Sequence, residues 1–188
     1  MKQSIFLFSF LLVTCLGYSQ DKFFTKTGKI QFDATTKNSP ESISGKNRSV
    51  TAVLDTKSGN LQFSLLMKGF TFEKALMEEH FNENYVESEK YPKSEFKGSV
   101  VNNAEVNYTK EGTYNAKVKG SLMIHGVTKE VETSGKIIIK DGKPTLKASF
   151  SVVMADYNIA VPTVVSDKVA KNATIELECA LEVLPAKK

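Results

Sequence analysis

Few side chains in this sequence combine the right types and spacing for chemistry. His80 lies in the run EEHFNE, beside Glu78, Glu79 and Glu83, and could be drawn as a carboxylate–imidazole metal site. A metal centre needs further His or Cys ligands at short, regular spacing, and none accompanies it. His80 therefore reads as an interfacial histidine on a charged helix face. His125, in IHGV beside Gly126, reads as a turn residue. Asp156 and Asp167 flank the loop DYNIAVPTVVSD. Paired carboxylates can share acid–base work, but no nucleophile or second base stands with them. Loop aspartates also serve as turn and helix caps. Cys179 falls in the alternating stretch Ile175, Leu177, Cys179, Leu181, with no basic neighbour in sequence to lower its pKa, and reads as a small buried apolar residue. There is no HExxH, nucleophile elbow or phosphate loop. The sequence predicts no catalytic residue, no metal ligand and no enzyme.

Charge narrows the partners. The 188 residues carry 25 Lys and Arg against 21 Asp and Glu, a formal net charge of +4. The signs are interspersed, as on a solvated outer face, so nucleic acid is not an expected partner. Transient contact with an anionic membrane surface is compatible with this balance. The oligomeric state is not specified.

Residues 1–19 read as a signal peptide. Lys2 is the charged start, Ile5 to Leu16 the apolar run, and Gly17-Tyr18-Ser19 a small-residue cleavage site before Gln20. The apolar run is shorter than the ~20 residues a membrane span needs. The expected location is periplasmic or secreted. Leu12-Val13-Thr14-Cys15 also resembles a lipoprotein box, which would anchor the chain at Cys15, although Thr14 departs from the small residue usual there. Residues 20–188 then form a single domain, long enough to bury a core without staples.

The elements around these residues are almost all strands. Apolar and polar residues alternate over 23–34, 43–56, 61–67, 118–124, 131–139, 146–154 and 175–183, with a further short strand at 95–98. Turn signals separate them, Asp141-Gly142 the strongest. About eight long strands with short connections fit a sandwich or a barrel, and strands near ten residues suit a tilted barrel. Gly120 and Gly135 sit inside strands, where a closing sheet bends or leaves room for a guest. One segment, 70–92, changes period. Phe72, Leu76, Met77, His80 and Phe81 fall on one helical face opposite the glutamates. The prediction is an all-β, eight-stranded antiparallel barrel with one helix over an end.

Three blocks, HFNENYVESEKYPKSEFKG, GSLMIHGVTKEV and ASFSVVMADYNIAVPTVVSDKVAKN, resemble the YceI-like family of exported bacterial lipid- or polyisoprenoid-binding proteins. The resemblance covers roughly residues 23–183. It implies a lipocalin-like barrel enclosing an apolar tunnel for a long isoprenoid chain, such as a quinone or polyprenyl tail. Two places depart from the family pattern. Tyr85-Val86-Glu87 replaces a pair of aromatics and an aspartate, and Asp156-Tyr157-Asn158-Ile159 lacks the usual arginine and glycine.

Strand phase supplies the candidate lining. It comprises Phe63, Leu65 and Met67, then Leu122, Ile124 and Ile137, then Phe150, Val152, Ile175 and Leu177. The helix adds Phe72, Leu76, Met77 and Phe81. Tyr85, Tyr91, Asp156, Tyr157 and Asn158 are the candidates for a ligand head group. No cofactor is expected beyond such a lipid ligand. Phase alone does not separate a tunnel from a packed interior, because an eight-stranded barrel suits either. An exported lipid carrier and a ligand-free envelope scaffold both stay open on this ground.

Overall fold

In the computed structural model, residues 21–185 are described. The expected signal peptide at 1–19, Cys15 and the last three residues lie outside them. Eight strands close into an antiparallel barrel: β1 (Lys22–Thr35), β2 (Ser44–Asp55), β3 (Asn60–Leu66), β5 (Lys93–Val100), β6 (Gly112–Ile124), β7 (Val127–Lys140), β8 (Lys143–Val153) and β9 (Val169–Ala180). The ring runs β1-β9-β8-β7-β6-β5-β3-β2 and closes by pairing β2 with β1. Two-residue strands β4 (Thr71–Phe72) and β10 (Glu182–Val183) pair with β2 and β1 at the margins.

Local chemistry sets the turns. His125-Gly126 and Asp141-Gly142 both have two positive φ values (51° and 72°, 49° and 70°), the mirror-image turn whose twist matches that of a hairpin. In β1, register shifts between Thr25 and Gly28 and again before Ile30 interrupt the pairing with β2. Phe23 and Thr25 point inward at odd positions, whereas Gly28, Ile30, Phe32 and Ala34 do so at even ones. One extra residue in a strand reverses the faces.

The two ends of the barrel differ. Leu54, Leu61, Val100, Val106, Ile139, Cys179 and Leu181 are buried at the end where β2 runs into β3 and β7 into β8. Cys179 is wholly buried, packed into the space above Gly28. Burial pushes its thiol up to about 12. At the other end, many inward apolar side chains remain only half-buried, including Ile30, Phe63, Phe150, Ile175 and Leu177. The floor is packed and the upper half is hollow.

The helix over the hollow end is shorter than the sequence predicts. Phe70 to Lys74 is not helical: Thr71 and Phe72 pair with Lys46 and Gly45 of β2. Thr71 Oγ1 also donates to the Lys46 carbonyl at 3.1 Å. α1 spans Ala75–His80 and continues as a wider π-type turn over Phe81–Tyr85. Met77, Phe81 and Tyr85, four residues apart, face the barrel. Leu76, expected on that face, points to solvent at 60% exposure. It lies about one-quarter of a turn from Met77.

Gly120 and Gly135 sit where neighbouring strands approach closely. A Cβ on Gly120 would stand 2.4 Å from the Lys97 carbonyl oxygen, and one on Gly135 would stand 2.6 Å from that of Lys147. Gly135 also borders the interior space.

Candidate functional site

The hollow half contains two abutting chambers of about 450 and 370 Å³. Ile30, Leu65, Ser94, Leu122, Phe150 and Val152 line both, so the two chambers adjoin. The side chains come from β1, β3, β5, β6 and β8, each strand contributing alternate residues to the inside. The upper chamber lies under α1, and the lower one rests on Leu61, Val100, Ala116, Ile137 and Leu146. Ser94, the polar residue at the junction, donates its hydroxyl to the Met123 carbonyl at 2.7 Å. Its polarity is spent on the wall, so the junction between the chambers stays apolar.

Four phenylalanines close the upper end. Phe81 stacks on Phe32 with centroids 5.1 Å apart and planes 13° from parallel, and meets Phe70 and Phe72 at 5.4 and 5.0 Å. Gly45 leaves the space that the Phe32 and Phe72 rings occupy. Beside this cluster the chamber reaches a polar margin of Ser39, Glu41, His80 and Lys168. Lys74 at the start of α1 forms an ion pair with Glu41 in the β1–β2 loop. The Thr36 amide donates to the Lys168 carbonyl at 3.3 Å, tying that loop to the segment before β9.

Most of the lining expected from strand phase meets this space. Phe63, Ile137 and Leu177 border the lower chamber, and Met67, Phe72, Met77, Phe81, Ile124 and Ile175 the upper one. Leu65, Leu122, Phe150 and Val152 stand between them. Leu76 does not reach either chamber. The head-group candidates are scattered. Tyr85 borders the upper chamber, whereas Asp156 and Tyr157 border the lower one. Burial pushes the phenols of Tyr85 and Tyr157 up, and the nearby Asp156 charge adds to the effect at Tyr157. Tyr91 is off the cavity, edge-on to the His125 ring at 4.4 Å. Asn158 is exposed, in a left-handed conformation that ends a turn of 3₁₀ helix over Met154–Tyr157.

Other residues of the cavity stand outside the expected lining. Ile30 and Phe32 border the cavity from a strand whose phase shifts midway, and Glu41 and Lys168 come from loops without periodicity. His125, expected as a turn residue, is one, yet it is also 92% removed from solvent. Its Nδ1 lies 3.0 Å from the Tyr157 carbonyl oxygen and its Nε2 2.8 Å from Glu87 Oε2. Among the described residues no group of three or more His, Cys, Asp or Glu side chains is placed to hold a metal ion.

A closed antiparallel barrel with an unfilled apolar interior and an aromatic cap is the architecture of a small-molecule container. The chain belongs to the YceI-like domain family, whose model matches residues 18–181. Solved structures with the same fold include a polyisoprenoid binding domain from Saccharophagus degradans implicated in plant cell wall breakdown. It is 12% identical, with a TM-score of 0.74 over 87% of this chain and 99% of that one. BcnA from Burkholderia cenocepacia is 15% identical, with a TM-score of 0.66 over 82% of this chain and 96% of its own. The YCEI protein of Campylobacter jejuni is 21% identical, with a TM-score of 0.52 over 77% and 88%. No curated protein matches the chain.

Proposed function

We propose that this protein sequesters or carries a lipid with a long apolar chain of the isoprenoid type, held inside the barrel, and that it performs no chemistry on it. The observation that carries this reading is the pair of adjoining chambers inside the barrel, lined mainly by apolar side chains and unfilled by them. A scaffold that binds only through its outer surface has no need of such a space. The Saccharophagus relative, described as a polyisoprenoid binding domain, supports the choice of ligand class. An isoprenoid quinone or a polyprenyl lipid fits it. The proposed setting is the periplasm or the extracellular space, where a water-insoluble tail needs a container to cross an aqueous gap.

The driving force is burial. Each CH₂ removed from water contributes roughly 0.8 kcal/mol, so ten carbons contribute about 8 kcal/mol before the cost of lost freedom. Ser94 offers no free donor and Tyr85 supplies one phenol, so the cavity discriminates by shape and hydrophobicity more than by hydrogen bonding. Titration with geranylgeraniol, followed by intrinsic tyrosine emission, tests the reading. The expected outcome is saturable binding of one chain per barrel. Absence of binding at the solubility limit of the alcohol contradicts it.

A further inference from the structure

The barrel wall is incomplete at one seam. β6 and β7 pair along their whole length, from Gly112↔Ile139 to Ile124↔Val127. β8 and β9 pair from Thr145↔Ala180 to Val153↔Asn172. Between these two sheets, β7 and β8 pair only from Lys140↔Lys143 to Gly135↔Ala148. Beyond that point, residues 127–134 of β7 and 149–153 of β8 have no ladder joining them among the described residues. The strands are pinched together at Gly135, where a Cβ would meet the Lys147 carbonyl oxygen and Ala148, and then they part.

The lower chamber reaches this gap. Its border includes the inward residues Val131, Thr133, Phe150 and Val152. It also includes Glu130, Glu132, Ser151 and Val153, which alternate with them and belong to the outer face. The chamber is thus bordered by residues of both faces on both strands along the stretch where no ladder joins them. The rim has the mixed character of a passage: Lys129, Glu130, Glu132 and Asp156 are charged, and Val131 and Val153 are apolar.

What closes the seam at its upper end is not a strand ladder. The turn Met154–Tyr157 follows β8 directly, and its Tyr157 carbonyl lies against His125 in the β6–β7 turn. His125 in turn meets Glu87 after α1. The capped end is fastened more heavily. The four-phenylalanine cluster, the Lys74–Glu41 pair and the Thr36–Lys168 hydrogen bond all lie across it.

We propose that the seam between β7 and β8 is a lateral portal, through which an apolar chain enters and leaves the barrel while its polar end stays at the charged rim. This rests on the reading that the cavity holds such a chain. The occupant follows from adjacency: the space behind the seam adjoins the mainly apolar chamber beneath the helix. Opening the seam breaks no strand hydrogen bonds, whereas passage under α1 requires parting four packed rings.

Two cysteine pairs test it. Glu132→Cys with Ser151→Cys places thiols at positions that would face each other if the β7–β8 register continued past Gly135↔Ala148. A disulfide between them holds the Cα atoms within about 7 Å and shuts the seam. Lys46→Cys with Thr71→Cys, paired residues of β2 and β4 that line neither chamber, staples the capped end instead. Loading and release of geranylgeraniol are timed by stopped flow for each pair, oxidised and reduced. The expected result is that oxidation at the seam slows both rates about tenfold or more, that reduction restores them, and that the staple at the capped end leaves them unchanged. Ser151→Trp, which narrows the seam without thiol chemistry, should also slow loading. Unaltered rates in both seam variants would overturn the portal, as would slowing by the capped-end staple alone. Failure of the unmodified protein to take up the alcohol at equilibrium would instead overturn the binding reading, and the portal with it.

Discussion

His125 Nε2 lies 2.8 Å from Glu87 Oε2, joining residues 38 positions apart in sequence. The contact fastens the segment after α1 to the β6–β7 turn, and through Nδ1 the same ring reaches the Tyr157 carbonyl. One side chain thus connects the cap, a hairpin and the turn beside the seam. The first prediction is that His125→Ala, which leaves the buried Tyr157 carbonyl without its partner, destabilises the fold by about 1–3 kcal/mol. Chemical denaturation of the variant against the parent checks this. A change below ~0.5 kcal/mol, the range of ordinary surface substitutions, would mean that the network carries no weight.

Leu122 and Leu76 form the second, paired prediction. Leu122 is buried between the chambers, and Leu76 faces solvent although it lies on the helix that covers them. Leu122→Lys puts an unpaired charge into an apolar space and should abolish isoprenoid uptake or folding. Phe150→Lys should behave alike. Leu76→Lys should alter stability by less than ~0.5 kcal/mol and leave binding intact. Thermal denaturation and geranylgeraniol titration of the three variants distinguish these outcomes. A Leu76→Lys variant that fails to bind would restore that residue to the lining.

Alkaline pH gives the third. Burial raises the Cys179 thiol from its ordinary 9.0 to about 12, and the Tyr108 phenol from 10.0 to about 12. Above pH 9 the unfolded chain therefore loses these protons while the folded chain keeps them. Stability is fully present below pH 9 and falls toward pH 12, each group adding a slope of up to about 1.4 kcal/mol per pH unit within its window, less for the partly exposed Tyr108. Denaturation midpoints between pH 8 and 11 should decline accordingly. In Cys179→Ala the decline should begin about one pH unit later, with Tyr108 and the other raised phenols, Tyr85 and Tyr157. An identical profile in both proteins would remove the thiol from the account.

The barrel was legible because period-two alternation survives in nearly every strand and because two-residue turns such as Asp141-Gly142 announce themselves. Phase in β3, β6, β8 and β9 placed Phe63, Leu122, Phe150 and Ile175 on the inside. Phase failed where geometry intervenes. In β1 the shift after Thr25 reverses the faces, which no alternation count reveals. At α1, the run 70–74 has helical spacing, but pairing of Thr71 and Phe72 with β2 claims it first, and Leu76, about a quarter-turn from the inward Met77, points outward. The head-group candidates are polar residues expected at the barrel mouth. Tyr91 and Asn158 prove to serve contacts and turns away from the cavity, while Glu41 and Lys168 reach its margin only because distant loops meet there. The parted seam of β7 and β8 is invisible in either strand alone, since both alternate as paired strands do.

The most direct measurement of the central claim is mass spectrometry of an organic extract from protein purified natively, without detergent, alongside Leu122→Lys as a control. The account predicts an apolar chain of at least about ten carbons, near one per protein molecule, present in the parent and missing from a folded Leu122→Lys variant. A parent protein that yields no lipid and takes up none when offered isoprenoids, or a folded Leu122→Lys variant as fully loaded as the parent, would contradict it.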